Sequence, residues 1–334
     1  MLELPKIAVV IIGVNVADYL KKCIDSILNS DYPNSKLNVI YVDGGSTDNS
    51  TAIARQFKDL TVIELRDPHP TPGKGRNAGL RAAKENVVQF MDADTVIDPN
   101  WFKKAFPYMD GKVAAVCGNR REKYPDKNIY HKIGNAEWRY EEGKCRYFGG
   151  EVLIRKDIAE QVKGFDEKLI AGEDPDLSYR IRQIGWDIYR INEEMSTHDL
   201  NMNRFSQYLK RAYRSGYAYA EIGLRYSRYK EKLWLKELGR IVFNFSIPLI
   251  VFIIGVIVGK TMLGLLLSFI IAFRQTWKFS KYKQIFKFTT IESILYCLHL
   301  SFVVYPQFTG VMRYLFAIIS RVPLQNKGYI KAED

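Results

Sequence analysis

Cysteine is scarce in this sequence: 334 residues hold four, Cys23, Cys117, Cys145 and Cys297, far apart and with no CxxC pair. That spacing offers neither a zinc signature nor a disulfide framework, and it suits a reducing, cytosolic compartment. The phosphate-cradling patterns GxxxxGK[ST] and GxGxxG are both missing, which excludes a P-loop and a dinucleotide fingerprint. No basic leader with a cleavage site precedes the first apolar run, so no signal peptide is expected. Acidic residues run short in the last third. Residues 1–199 carry 29 Lys/Arg against 31 Asp/Glu, whereas residues 200–334 carry 20 against 6. The formal charge of +12 therefore belongs to the C-terminal part, and no nucleic-acid partner is expected. With 47% hydrophobic and 26% charged residues, disorder is excluded as well.

What abounds near the C-terminus is uncharged apolar sequence. Residues 241–258 read IVFNFSIPLIVFIIGVIV, and after Gly259-Lys260 the run resumes as TMLGLLLSFIIAF through Phe273. A helix rises ~1.5 Å per residue, so the first arm nearly spans a ~30 Å hydrocarbon core, while the second is short for it. Residues 200–240 carry ten Lys/Arg, three Glu and six Tyr, and residues 274–287 add five Lys/Arg and no acid. Basic flanks on both sides of a charge-free hairpin predict that both ends are cytoplasmic, with Gly259-Lys260 at the far turn. The Tyr and Lys/Arg suit a headgroup layer, making membrane lipid an expected partner. Residues 288–319 are again apolar, interrupted by Glu292, His299, Pro306 and Arg313. They read either as further spans or as helices lying in the interface; the interfacial reading is favoured, with Glu292 and His299 on one helical face and solvated.

The first 200 residues alternate strand-like and helix-like runs. KIAVVIIGV from Lys6, LNVIYV from Leu37, residues 61–65, VVQFM from Val87 and VAAVC from Val113 read as strands. Between them, residues 19–28, a segment from Asp48 to Phe57 and residues 79–85 read as helices. The implied class is α/β with a mostly parallel sheet, and ligands in such sheets bind at the carboxyl ends of strands. The expected organisation is an α/β domain at 1–200, a basic, aromatic helical segment at 201–240 and a membrane-embedded helical region at 241–334.

Chemistry collects at those strand ends. Asp43 opens Asp43-Gly44-Gly45-Ser46-Thr47-Asp48, and Asp92-Ala93-Asp94 follows VVQFM. Alternating carboxylates in a turn suit a hard divalent cation shared with substrate phosphates. Gly73-Lys74-Gly75-Arg76 reads as a flexible cationic loop fit for a pyrophosphate. Together these point to a nucleotide-sugar or nucleotidyl reaction. Asp174-Pro175 reads equally as the N-cap and first residue of a helix running through Ile184.

The residues Lys6–Asn15, VDGGSTDNS from Val42, PGKGRNAGL from Pro72, FMDADT from Phe90 and AGEDPDLSYRIRQIGW from Ala171 resemble glycosyltransferase family 2. The resemblance covers roughly the first 200 residues and implies an inverting enzyme of the GT-A fold, followed here by C-terminal membrane-associated helices. It implies that Asn15, Asp43, Lys74, Arg76 and Asp92 bind the nucleotide sugar, and that Asp94 and His198 hold Mn²⁺ or Mg²⁺. Asp174 matches the general base, and Glu151 and Glu173 are placed at the acceptor. Two departures matter. Gly44 stands where many members have a second Asp. The QxxRW motif of processive members is absent, since neither Gln207-Tyr208-Leu209-Lys210-Arg211 nor Arg274-Gln275-Thr276-Trp277 matches it. The expected activity is non-processive transfer from a nucleotide sugar, UDP-linked by expectation, to a lipid-linked or glycan acceptor at the cytoplasmic face of the cell membrane. The alternatives are a polyprenyl-phosphate sugar synthase, a nucleotidyltransferase and a catalytically idle scaffold.

Overall fold

The structure, a computed structural model, describes residues 4–138 and 141–322. The described residues up to Tyr124, with Glu137–Leu200, form one compact unit; Pro125–Ala136 and the residues from Asn201 form the other. The chain runs β1 (Ile7–Gly13), α1 (Ala17–Leu28), β2 (Leu37–Asp43), α2 (Ser50–Ala54), β3 (Leu60–Glu64), α3 (Pro72–Ala82), β4 (Val87–Asp92) and β5 (Thr95–Ile97). It continues through α4 (Trp101–Ala105), β6 (Val113–Glu122), α5 (Ile129–Glu137), β7 (Gly143–Lys144), β8 (Val152–Arg155), α6 (Lys156–Gln161), α7 (Glu173–Gln183) and β9 (Asp187–His198).

These strands make one sheet in the order β3-β2-β1-β4-β8-β6-β9-β5, with β7 paired to β9. The first four strands are parallel, as is the β6–β9 pair, while β8, β5 and β7 run antiparallel to their neighbours. The apolar run of β1 is buried on both faces, which is why it reads as continuous rather than alternating. Its helix cover needs a small residue: a Cβ on Gly79 of α3 would lie 2.2 Å from Val10 Cγ1.

The second unit contains α8 (Phe205–Arg225), α9 (Leu235–Ile257), α10 (Thr261–Ala272), α11 (Phe279–Phe286), α12 (Thr290–Phe302) and α13 (Val304–Ser320). Gly259, at φ 71°, turns α9 into α10 where the hairpin was expected. Among the described residues, three helical stretches are long and apolar enough to cross a membrane: Leu235–Ile257, Thr261–Phe286 and Thr290–Ser320. The second arm thus continues beyond Phe273. Within residues 288–319, α12 and α13 follow one another closely enough to give a span-length stretch. Glu292 and His299 are not simply solvated. Glu292 Oε1 lies 2.5 Å from Lys132 Nζ and its other oxygen accepts from Thr289 N–H; His299 Nδ1 and Tyr208 Oη are 2.8 Å apart. Helix contacts here rest on glycine: a Cβ on Gly216 of α8 would meet the Gln307 carbonyl of α13 at 1.9 Å, and one on Gly310 that of Tyr213 at 2.1 Å.

Candidate active site

The strand register builds the site. Gly13 of β1 stands opposite Asp43 of β2, and Ile12 opposite Asp92 of β4, so the two acids flank the end of the central strand. Asp43 is 2% exposed. It accepts hydrogen bonds from Tyr41 Oη (2.9 Å), Gly45 N (2.9 Å), Ser46 N (2.7 Å) and Ser46 Oγ (2.5 Å). Both its oxygens are therefore committed to its own turn. Asn15, in the left-handed region at φ 53°, donates its N–H to Ser46 Oγ and accepts from Thr47 N–H, both at 2.8 Å. Asparagine tolerates that conformation better than most residues. Asn15 and Asp43 are thus brought together, as two anchors of one loop pair.

The cationic loop expected at 73–76 is instead the start of α3. Thr71 caps it by accepting Lys74 N–H at 3.2 Å, and Pro72 supplies a preset φ at the first helical position. The glycines that suggested looseness serve packing: a Cβ on Gly73 would lie 2.8 Å from the Asp166 carbonyl. Lys74 Nζ is held by Asp67 (2.6 Å) and the His69 carbonyl (2.9 Å). Arg76 points inward and is 2% exposed. Its guanidinium lies 2.7 Å from Glu173 Oε1, 2.9 Å from Asp92 Oδ1 and 3.6 Å from Asp174 Oδ1. Arg76, expected near a pyrophosphate, here meets a cluster of carboxylates.

At the metal position, β5 pairs with β9 so that Thr95 faces His198. This brings His198 Nε2 to 3.1 Å from Asp94 Oδ2. Asp94 Oδ1 and His198 Nδ1 are buried without a hydrogen-bond partner among the described residues. An unpaired carboxylate oxygen beside an imidazole fits a divalent cation of the Mn²⁺ or Mg²⁺ kind. Burial works against the Asp94 carboxylate, but its hydrogen bond to His198, the His198 charge and Arg120 hold its pKa below the ordinary value. Burial pushes Asp92 up to about 6, against the pull of Arg76 and aided by Asp94. Trp138 sets its ring edge to His198, with centroids 5.2 Å apart, and carries the Arg120 guanidinium over its face at 5.4 Å.

Asp174 is not the N-cap. Gly172, at φ 89°, takes that position, leaving Glu173 and Asp174 as the first two residues of α7. A helix start favours such acids through the partial positive charge of its free N–H groups. Asp174 Oδ2 accepts Gly150 N–H at 2.7 Å, and Oδ1 is buried without a hydrogen-bond partner. Glu173 is pushed up to about 7 by burial and by the Asp174 charge, with Arg76 opposing. Glu151, 1% exposed, accepts from Ser196 Oγ, and its other oxygen is likewise unpartnered. The structure therefore gathers Arg76, Asp92, Glu173 and Asp174 in one cluster and Asp94 with His198 in another, while Lys74 stays with its own loop. Arg120 joins them unforeseen, donating to the Gly149 carbonyl at 2.8 Å. It lies mid-strand outside every motif, and no local signal marks it.

Paired acids at strand ends, a histidine on the DxD motif and a carboxylate at a helix start suit transfer from a phosphate-activated sugar. Residues 8–165 match glycosyl transferase family 2, and residues 87–305 match glycosyl transferase family group 2. The chain is a family 2 glycosyltransferase. It is 27% identical over 222 residues to glycosyltransferase AglE of Haloferax volcanii, covering 64% of this chain and 72% of that one. It is 28% identical over 212 residues to the probable glycosyltransferase YdaM of Bacillus subtilis, covering 56% and 49%. The mannosyltransferase PcManGT of Pyrobaculum calidifontis, solved with GDP-Man and Mn²⁺, superposes with a TM-score of 0.58 at 17% identity, covering 96% of this chain and 87% of that one. Residues 1–349 of TarS from S. aureus, with UDP-GlcNAc, give a TM-score of 0.55 at 16% identity, covering 88% and 91%. The fold is that of GT-A enzymes.

Proposed function

We propose that this enzyme transfers one sugar, with inversion, from a UDP-sugar to a lipid-linked acceptor at the cytoplasmic face of the cell membrane, in a metal-dependent and non-processive reaction. The observation that carries the reading is Asp174: a buried carboxylate held by one oxygen and open at the other, in the same unit as the Asp94–His198 pair. Asp174 Oδ1 takes the proton of the acceptor hydroxyl as its oxygen bonds to the anomeric carbon. The bond from that carbon to the diphosphate breaks on the opposite face, and the electron pair leaves with the nucleoside diphosphate. A divalent cation at Asp94 and His198 supplies neutralising charge for that leaving group when bound. Asn15 and Asp43 shape the loop for the nucleoside, and Lys74 stands at its edge. Asp92 faces the sugar, and Glu151 and Glu173 line the acceptor side.

Three span-length apolar stretches following the catalytic unit favour a lipid-linked acceptor. Gln207 favours single transfer, because here it serves a helix cap: its side-chain oxygen accepts from Arg204 N–H at 2.9 Å. The test is nucleoside diphosphate release from a panel of nucleotide sugars by the detergent-solubilised full chain, with Mn²⁺ or Mg²⁺. A single UDP-sugar should turn over. Asp174→Asn should keep UDP affinity and lose about 10² to 10⁴ in turnover; an unimpaired variant returns Asp174 to a structural role.

A further inference from the structure

Arg76 touches both halves of the site, and we infer that it is a positioning residue for the general base rather than a ligand of the donor diphosphate. The inference rests on the reading of Asp174 as that base.

The geometry is a closed ring through one residue, Gly150. Arg76 Nη2 donates to the Gly150 carbonyl at 3.1 Å, and Gly150 N–H donates to Asp174 Oδ2 at 2.7 Å. Arg76 Nη1 returns to Asp174 Oδ1 at 3.6 Å. The last distance is too long for a hydrogen bond but close enough for the cation to favour the ionised carboxylate. Oδ2 is thereby occupied and Oδ1 is left open, so Oδ1 is the atom that receives the acceptor's proton. The remaining guanidinium contacts fix the cation itself, through Asp92 on the donor side and Glu173 on the acceptor side. The Phe165 ring covers it at 5.5 Å.

The ring also requires glycine at 150. Its φ is 70°, and a Cβ there would lie 2.3 Å from Arg120 Nη2 and 3.1 Å from Asp92 Oδ2. A diphosphate could reach Nη1 and Nη2 only by displacing the Glu173, Asp92 and Gly150 oxygens that they already contact, on a side chain 2% exposed; Nε is buried without a hydrogen-bond partner among the described residues. Lysine, with one nitrogen on a flexible stem, cannot hold Asp92, Glu173 and the Gly150 carbonyl in one plane.

The test compares R76K, D174N and the double variant, all full-length. Binding of UDP with Mn²⁺ is measured by calorimetry, and turnover on the donor found by screening. R76K should bind UDP within about threefold of wild type and lose about 10²-fold or more in turnover, and R76K/D174N should be no slower than D174N alone, because residues acting as a unit are non-additive. Tenfold or greater loss of UDP affinity in R76K, or additive losses in turnover, overturns the positioning role and leaves the base reading standing. An unimpaired D174N overturns the base reading and this inference with it. Should R76K fail to fold, a wild-type structure with UDP and Mn²⁺ decides. Arg76 still on Asp92, Glu173 and Gly150, with no phosphate oxygen on either Nη, supports the role, and a phosphate oxygen there overturns it.

Discussion

Asp94 Oδ1, Glu151 Oε1 and Asp174 Oδ1 are buried without a hydrogen-bond partner among the described residues. A buried acceptor left unmatched costs about 1–3 kcal/mol, so such atoms persist where a ligand completes them. Asp94→Ala should therefore abolish metal-dependent UDP binding while leaving the melting temperature of the metal-free protein near that of wild type; full turnover in excess chelator would remove the cation from the reaction. Glu173 gives a pH signature. Its folded pKa, about 7, lies above the ordinary value of 4.5, so the folded state holds the proton more tightly than the unfolded one. Its contribution to stability is full below about 4.5 and is lost as pH rises through about 7. E173Q should flatten the fall in melting temperature across that window. At this scale the sequence was partly legible. Asp92 and Asp94 announce themselves by spacing at a strand end. The direction of Arg76, the contact of Arg120 and the left-handed Gly172 depend on partners 16 to 98 residues away or on backbone conformation, and neither is written locally.

Elements decide where those residues point. The start of α3 was hidden by two glycines, which read as a loop until Thr71 and Pro72 are weighed as a cap and first residue. Thr71→Ala should lower stability by about 1 kcal/mol, seen in chemical denaturation, and should also reduce turnover because Arg76 sits in the second turn of that helix. In the second unit, Gly216 and Gly310 let the α8 and α13 backbones approach closely, with no Cβ between them. Gly310→Leu should force those helices apart and lower the melting temperature in detergent by several degrees, whereas leucine at the exposed Met312 should not. The strands were legible because continuous apolar runs mark buried parallel strands. The antiparallel insertion of β8 between β4 and β6 was not, since strand direction is a long-range property.

At the scale of the whole molecule, three stretches are long and apolar enough to cross a membrane; if all three cross it, successive connections face opposite sides. With Cys23, Cys117, Cys145 and Cys297, all free, replaced, a single cysteine at 260 should react with an impermeant reagent only from outside. One at 288 should react only from the cytoplasmic side. Equal labelling of both from one side would make α9 and α10 a re-entrant hairpin.

The crowding of carboxylates has a thermodynamic corollary. Asp92, Asp94, Glu151, Glu173 and Asp174 outnumber the guanidinium groups of Arg76 and Arg120 around the cleft. A nucleoside diphosphate brings more negative charge to the same place. Donor and cation should therefore be linked ligands: the factor by which Mn²⁺ tightens UDP must equal the factor by which UDP tightens Mn²⁺. Two titrations, each run with and without the other ligand, measure that single coupling free energy from both ends. Together with the metal affinity of the empty enzyme, it sets the free-metal concentration at which the enzyme stops ignoring its substrate.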